Sequence, residues 1–237
     1  MLATQPFDAK PGVIGDYQGA PIDIFYSGRE AVKYMAAPLT VDGTLTNNPL
    51  NSPFQYWIFA GTLMGRVTST KKYANSIIGP TNSAYTSGGT TLVASANTVA
   101  EVVRRFGSSG TFTLLGPATA GGVIASPNQV VTYSAASGTS ITITSTGINY
   151  VSGSLIMPND GSQNVITVSC GIYGFKVTDA TNINRIDVGN AQLLLQGGTL
   201  NDQALQQWPA DASIIAYLKA AITKYCSGTT FLSDTTG

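Results

Sequence analysis

Histidine is missing from all 237 residues of this chain. That absence removes the Ser-His-Asp triad, the Cys-His pair and the HExxH zinc helix, and with them the commonest hydrolytic designs. Charge is scarce as well. Ionisable Asp, Glu, Lys and Arg make up 10% of the residues, against roughly 25% in an ordinary soluble domain. Twelve basic residues balance twelve acidic ones, so no net field draws the chain to nucleic acid or to an anionic membrane surface. The basic dipeptides Lys71-Lys72 and Arg104-Arg105 read as solvated faces, because a nucleic-acid binder carries a broader basic stripe interleaved with aromatics.

Cysteine occurs only at Cys170 and Cys226, too few for a disulfide framework, and free buried thiols are expected. Without histidine, two distant cysteines cannot complete a tetrahedral zinc shell. No apolar run is long enough to span a bilayer as a helix, and the N-terminus has neither the basic start nor the apolar stretch of a signal peptide. Synthesis and use in a cytoplasm are therefore expected.

Carboxylates are sparse too, with Glu30 and Glu101 the only glutamates. A glycosidase needs just two carboxylates, but Asp160 in a turn and Asp211 before a helix already have structural work. Asp179 and Asp187, with Asn182 and Asn184 nearby, offer oxygen ligands for a hard cation, yet their spacing fits no EF-hand loop. Ser69 and Lys72 have Ser-x-x-Lys spacing in a segment that reads as a β-hairpin, where the two side chains do not share a helical face. No phosphate-binding loop or dinucleotide fingerprint occurs. These residues supply no catalytic group, no cofactor-binding group and no metal site, and a non-enzymatic protein is expected.

What is present is neutral and β-forming. The 26 glycines punctuate runs rich in Thr, Ser, Val, Ile and aromatics, and the fold class expected is mainly β with a few helices, a β-rich α+β protein. Low surface charge leaves strand edges poorly protected against association, which suits a protein that works in contact with neighbours.

Residues 1–54 hold prolines at 6, 11, 21, 38, 49 and 53. This segment reads as an extended N-terminal arm with short strand pieces such as 22–26, since proline fixes φ and removes a backbone donor. It docks on a neighbouring subunit by adding to a sheet edge or packs on its own domain. Phe7, Tyr17, Ile24, Phe25 and Tyr26 are the candidate partner contacts, because apolar side chains on an arm need burial somewhere.

Strands are expected over 54–60, 61–68, 111–115, 130–133, 140–144 and 171–178, with a hairpin pairing 151–157 to 164–169 through Pro158-Asn159-Asp160-Gly161. A helix is expected over 96–106, with apolar Val99, Val102, Val103 and Phe106, an N-cap among Ser95, Asn97 and Thr98, and Gly107 as its stop. A second runs over 212–225 behind Asp211, with Ile214, Ile215, Leu218, Ala221, Ile222 and Tyr225 on its apolar face. The organisation expected is an arm at 1–54, a β-rich core from 55–74 and 153–237 that carries the C-terminal helix, and an inserted α/β subdomain at 75–152.

Two separated stretches resemble the head-decoration, or capsid cement, proteins of tailed phages, the family that includes the decoration protein of lambda-like heads. Gly61-Thr62-Leu63-Met64-Gly65-Arg66-Val67-Thr68-Ser69-Thr70-Lys71-Lys72-Tyr73 is similar to that family's Gly-Thr-Val-Leu-Gly-Lys-Ile-Thr-x-x-Gly-Lys-Tyr pattern, with Lys71 where the pattern has Gly. Met157-Pro158-Asn159-Asp160-Gly161-Ser162, followed by Gly171-Ile172, resembles its Asp-Gly-Ser turn and following strand. The resemblance implies a β-tulip or barrel-like domain with an inserted subdomain. It also implies a homotrimer on the outer surface of the virion, assembled in the host cytoplasm and bridging subunits of the major capsid protein, with no nucleic-acid or membrane partner. A phage fibre, spike or surface adhesin that binds a cell-surface glycan is the alternative, prompted by the Ser/Thr/Gly-rich strands between 107 and 153.

Overall fold

A computed structural model describes residues 24–27, 31–35, 39–46, 57–124, 129–171, 173–174, 187–189 and 191–232. Among these residues the chain is a β-rich α+β protein. Its first strands are β1 (Phe25–Ser27), β2 (Lys33–Tyr34), β3 (Thr40–Val41), β4 (Trp57–Ile58), β5 (Leu63–Arg66), β6 (Tyr73–Asn75), β7 (Gly79–Pro80) and β8 (Thr91–Val93). Helix α1 (Ala96–Phe106) leads into β9 (Gly110–Leu115), β10 (Gln129–Ser137), β11 (Ser140–Ile143), β12 (Leu155–Met157) and β13 (Val165–Val168). The chain then forms β14 (Tyr173–Gly174), β15 (Val188–Gly189), β16 (Leu194–Gln196), β17 (Thr199–Asn201), helix α2 (Ala212–Tyr225) and β18 (Thr230–Leu232).

The largest sheet, antiparallel throughout, has the order β7-β12-β9-β10-β11-β8. A second runs β13-β5-β6-β3-β15, a third β1-β17-β18, and the pairs β14-β4 and β16-β2 form two ribbons. Successive side chains on a strand point to opposite faces, and β9 and β12 use this to wall two cores apart. Leu114 and Ile156, directly paired, join Phe112, Val131, Tyr133 and the α1 residues Val99 and Val102 on one side. Leu115, Leu155 and Met157 face the other core, with Val165, Val168 and the α2 residues Ile214, Leu218 and Ile222. Each such fully buried aliphatic side chain contributes about 1.5–3 kcal/mol of burial. The inserted lobe therefore takes in β12, and its sheet extends to Met157, beyond the boundary expected at 152.

Local chemistry sets both helices. Ser95 caps α1 by accepting the Thr98 amide at 3.1 Å, and Gly107 stops it at φ 90° while donating to Val103 O at 2.8 Å. The Asp211 carboxylate caps α2, accepting from the amides of Ser213 and Ile214 at 2.9 and 3.3 Å and from Gly121 N at 2.9 Å. Burial opposes ionisation of Asp211, but these donors and the Ser213 hydroxyl outweigh it and hold its pKa below the ordinary carboxylate value. Ile214, Leu218 and Ile222 form the buried stripe of α2, whereas Tyr225, expected on that face, is exposed.

Two expectations are corrected. β12 and β13 do not pair: β12 lies between β7 and β9, and β13 pairs with β5. Gly161 does take the left-handed φ of 105° that an Asp-Gly turn favours, but the turn carries the chain from one sheet to another. Nor do the described residues of segment 1–54 form a free arm. β1 pairs with β17, β2 with β16, and β3 with both β6 and β15, so the proline-spaced pieces supply strands to the chain's own sheets. Among the described residues no helix is long and apolar enough to cross a membrane.

Candidate functional site

The two stretches that carry the family resemblance, distant in sequence, pack into one unit. β5 and β6 pair across a tight turn in which Val67 N donates to Lys72 O at 2.9 Å. The Asp160-Gly161-Ser162 turn sits on this hairpin, with Thr68 N donating to Asp160 O at 2.8 Å. Glycine is required at the contact. A Cβ on Gly65 would lie 2.1 Å from Ser162 O, and one on Gly161 would lie 2.8 Å from Arg66 O. Lys71, standing where the family pattern has glycine, adopts φ 61°, in the left-handed region that side chains disfavour. Ser69 lies in the same turn, and Lys72 pairs with Asp187 at 2.5 Å. Asp187 also accepts Gly43 N at 3.0 Å; Asp179, Asn182 and Asn184 lie outside the described residues.

Arg105 pins this unit to the inserted lobe. Its side chain has 0% exposure, which overturns the reading of Arg104-Arg105 as a solvated face. Nη2 donates to Asp160 Oδ2 at 2.9 Å and to Ser162 Oγ at 2.7 Å, while Nη1 donates to Asn75 O at 3.1 Å and Asn75 Oδ1 at 3.2 Å. Asp160 Oδ1 accepts the Ser162 amide at 3.0 Å and its hydroxyl at 2.6 Å. Burial lowers the Arg105 pKa against the opposing pull of Asp160. For Asp160, burial pushes upward, but the Arg105 charge and the Ser162 bonds outweigh it and leave the carboxyl below its ordinary pKa. A carboxylate held ionised by a buried guanidinium and by the Ser162 amide and hydroxyl acts as a structural anchor for this turn.

Sequence periodicity did not reveal this anchor. Thr98, Glu101 and Arg105 recur at i, i+3 and i+7 on α1, the spacing of one helical face, and all three are buried. Glu101 is gripped by Arg104 through two contacts of 2.6 Å, and Arg104 also donates to Thr44 O. α1 therefore has a buried polar edge beside its apolar one.

The expected contact residues divide. Ile24 and Phe25 are 2% and 7% exposed and belong to the chain's own core, so intramolecular packing replaces the partner contact expected of them. Tyr26 is placed in β1 by its backbone alone, and Phe7 and Tyr17 lie outside the described residues. Apolar surface lies elsewhere. Tyr34 and Leu195 are exposed on the β2-β16 ribbon, and Leu232 is exposed on β18, an edge strand. On the outer side of the largest sheet, Thr132, Thr142 and Thr91 are exposed beside Val130, a neutral face without ionisable groups. Cys170 and Cys226 are free, and burial pushes their thiols to about 12 and about 11. No group of three or more His, Cys, Asp or Glu able to hold a metal ion occurs among the described residues. Comparison with protein-family models, with curated proteins and with solved structures finds no match to this chain.

Proposed function

We propose that this chain is a head-decoration protein of a tailed phage. It binds the outer surface of the shell as a homo-oligomer, with the trimer as the form expected, and bridges major capsid subunits. It works by occupying that surface and has no reactive centre. The observation that carries this reading is the joining of Gly61–Tyr73 to Asp160-Gly161-Ser162. The residues that resemble the decoration family fold into one unit, with glycines at 65 and 161 where no side chain fits.

The physics of the surface supports the same reading. Exposed strands with little charge have weak protection against edge pairing, and an oligomer engaging several shell subunits at once turns modest contacts into firm attachment. Preferential binding to the assembled shell stabilises that shell by mass action. The exposed Tyr34, Leu195 and Leu232 are contacts consistent with this role, and Phe7 and Tyr17 are assigned to the same role on the preceding segment.

The test is co-sedimentation of the purified chain with expanded, undecorated heads of the phage that encodes it, followed by heating. Saturable binding with a fixed stoichiometry and a higher shell-disruption temperature are expected. Protein left in the supernatant at concentrations that saturate authentic cement proteins would overturn the proposal.

A further inference from the structure

The turn between β5 and β6 carries two cations that no carboxylate answers. Among the described cations, Lys72, Arg104, Arg105 and Lys219 each meet an acidic side chain at 2.5–2.9 Å, whereas Arg66 and Lys71 are exposed and form no ion pair with a described residue. The two sit together, because Arg66 Nε donates to the Lys71 carbonyl at 2.9 Å. That bond leaves Nη1 and Nη2, the forked end of the guanidinium, open to an acceptor from outside. Thr68, Ser69 and Thr70 between them are exposed as well and add hydroxyls without an opposing charge. From Ala74 to Asn159 the only charged side chains are Glu101, Arg104 and Arg105, all held in ion pairs.

The backbone of this turn sets it apart from an ordinary solvated loop. Val67 N donates to Lys72 O at 2.9 Å, Lys71 N to Val67 O at 3.0 Å and Thr68 N to Asp160 O at 2.8 Å, so the turn is fixed from within and from the Asp160-Gly161-Ser162 side. Charges on a preorganised turn lose little freedom when a partner docks. Lys71 holds φ 61°, where glycine would be unstrained and lysine is not. A side chain kept at a strained position points to use of that side chain, and the part of Lys71 that glycine lacks is an exposed positive charge.

We infer that this turn docks on a carboxylate-bearing segment of a capsid subunit. The inference rests on the decoration reading and names the part of the chain that meets the shell. Arg66 takes one carboxylate end-on through its fork, Lys71 pairs with a second, and the hydroxyls between them donate to carboxylate oxygens. A nucleic acid would need a broader basic stripe with aromatic faces for its bases, and no aromatic lies between Arg66 and Lys72. Exposed charge pairs are individually weak, so attachment becomes firm only when several copies of the contact engage at once. Salt screens such contacts, which makes the attachment sensitive to ionic strength.

The test titrates the full chain and its variants against expanded, undecorated heads at low and high ionic strength, with a single-stranded oligothymidine as a second probe. Lys71→Gly should weaken head binding roughly 2–5-fold while its thermal midpoint stays at or above that of the parent, a split that a folding defect cannot produce. Lys71→Gly combined with Arg66→Gln should weaken binding about 10-fold or more, because the losses multiply across engaged copies, and should flatten its salt dependence. Lys224→Gln, which removes an exposed cation from α2, should stay within twofold of the parent and controls for net charge. If the parent does not bind heads, the decoration reading falls and this inference with it. If the parent binds and the double variant binds within twofold of it, or loses no more than Lys224→Gln does, this inference alone is overturned. Tighter binding to oligothymidine than to heads would overturn it in favour of a nucleic-acid contact.

Discussion

Arg105 on α1 and Asp160 in the turn after β12 meet at 2.9 Å, with the guanidinium wholly inside the protein and the carboxylate 22% exposed. Removing one partner of a buried pair leaves the other charged, desolvated and unpaired. Asp160→Asn should therefore lower unfolding stability by about 3 kcal/mol, read as a drop in the urea midpoint at unchanged slope. Replacing Arg105 with Met as well should cost less than the two single changes added together. A loss below about 1 kcal/mol for the single variant would place this pair among the surface bridges that matter little.

The same pair sets the acid limb of stability. The Asp160 pKa is lower in the folded chain than in the unfolded one, so its contribution is fully present above the unfolded value of about 3.9 and is lost as pH falls through the lower folded value. Urea midpoints measured from pH 6 to pH 2 should decline more steeply below pH 4 in the parent than in Asp160→Asn. Parallel curves would remove Asp160 as the cause.

Lys71 offers a gain. A non-glycine residue at φ 61° bears roughly 1 kcal/mol of left-handed strain, partly offset because glycine is freer when unfolded. Lys71→Gly should raise stability by about 0.5 kcal/mol, visible as a small rise in thermal midpoint. Arg66 Nε donates to the Lys71 carbonyl at 2.9 Å, a backbone contact the substitution keeps.

The thiols should be nearly inert. With the Cys170 pKa pushed up to about 12 and that of Cys226 to about 11, the thiolate that does the reacting is scarce at pH 8. Ellman's reagent should modify the native chain roughly a thousandfold more slowly than free cysteine and should titrate both sulfurs at once in guanidinium. Rapid modification of the folded protein would mean that one sulfur is reached by solvent.

Local chemistry was legible in the sequence and long-range pairing was not. The 3.6-residue period and the caps give both helices, Ala96–Phe106 and Ala212–Tyr225, because an N-cap such as Asp211 acts within one turn. Strands β9, β10 and β11 were visible from their β-branched alternation. Which strand pairs with which depends on closure across the whole chain, so the Asp-Gly step suggested a β12-β13 hairpin that the sheets do not contain. Arg105 was misread for a related reason. A polar face on an amphipathic helix looks solvated until the partner that buries it is known, and Asp160 and Asn75 lie far away in sequence.

The claim that this chain decorates a viral shell is tested most directly by cryo-electron microscopy of expanded heads after incubation with the purified protein. Added density is expected on the outer surface at local three-fold positions, touching more than one capsid subunit and fitted by the β-rich structure. Bare heads, or density confined to the tail, would contradict it.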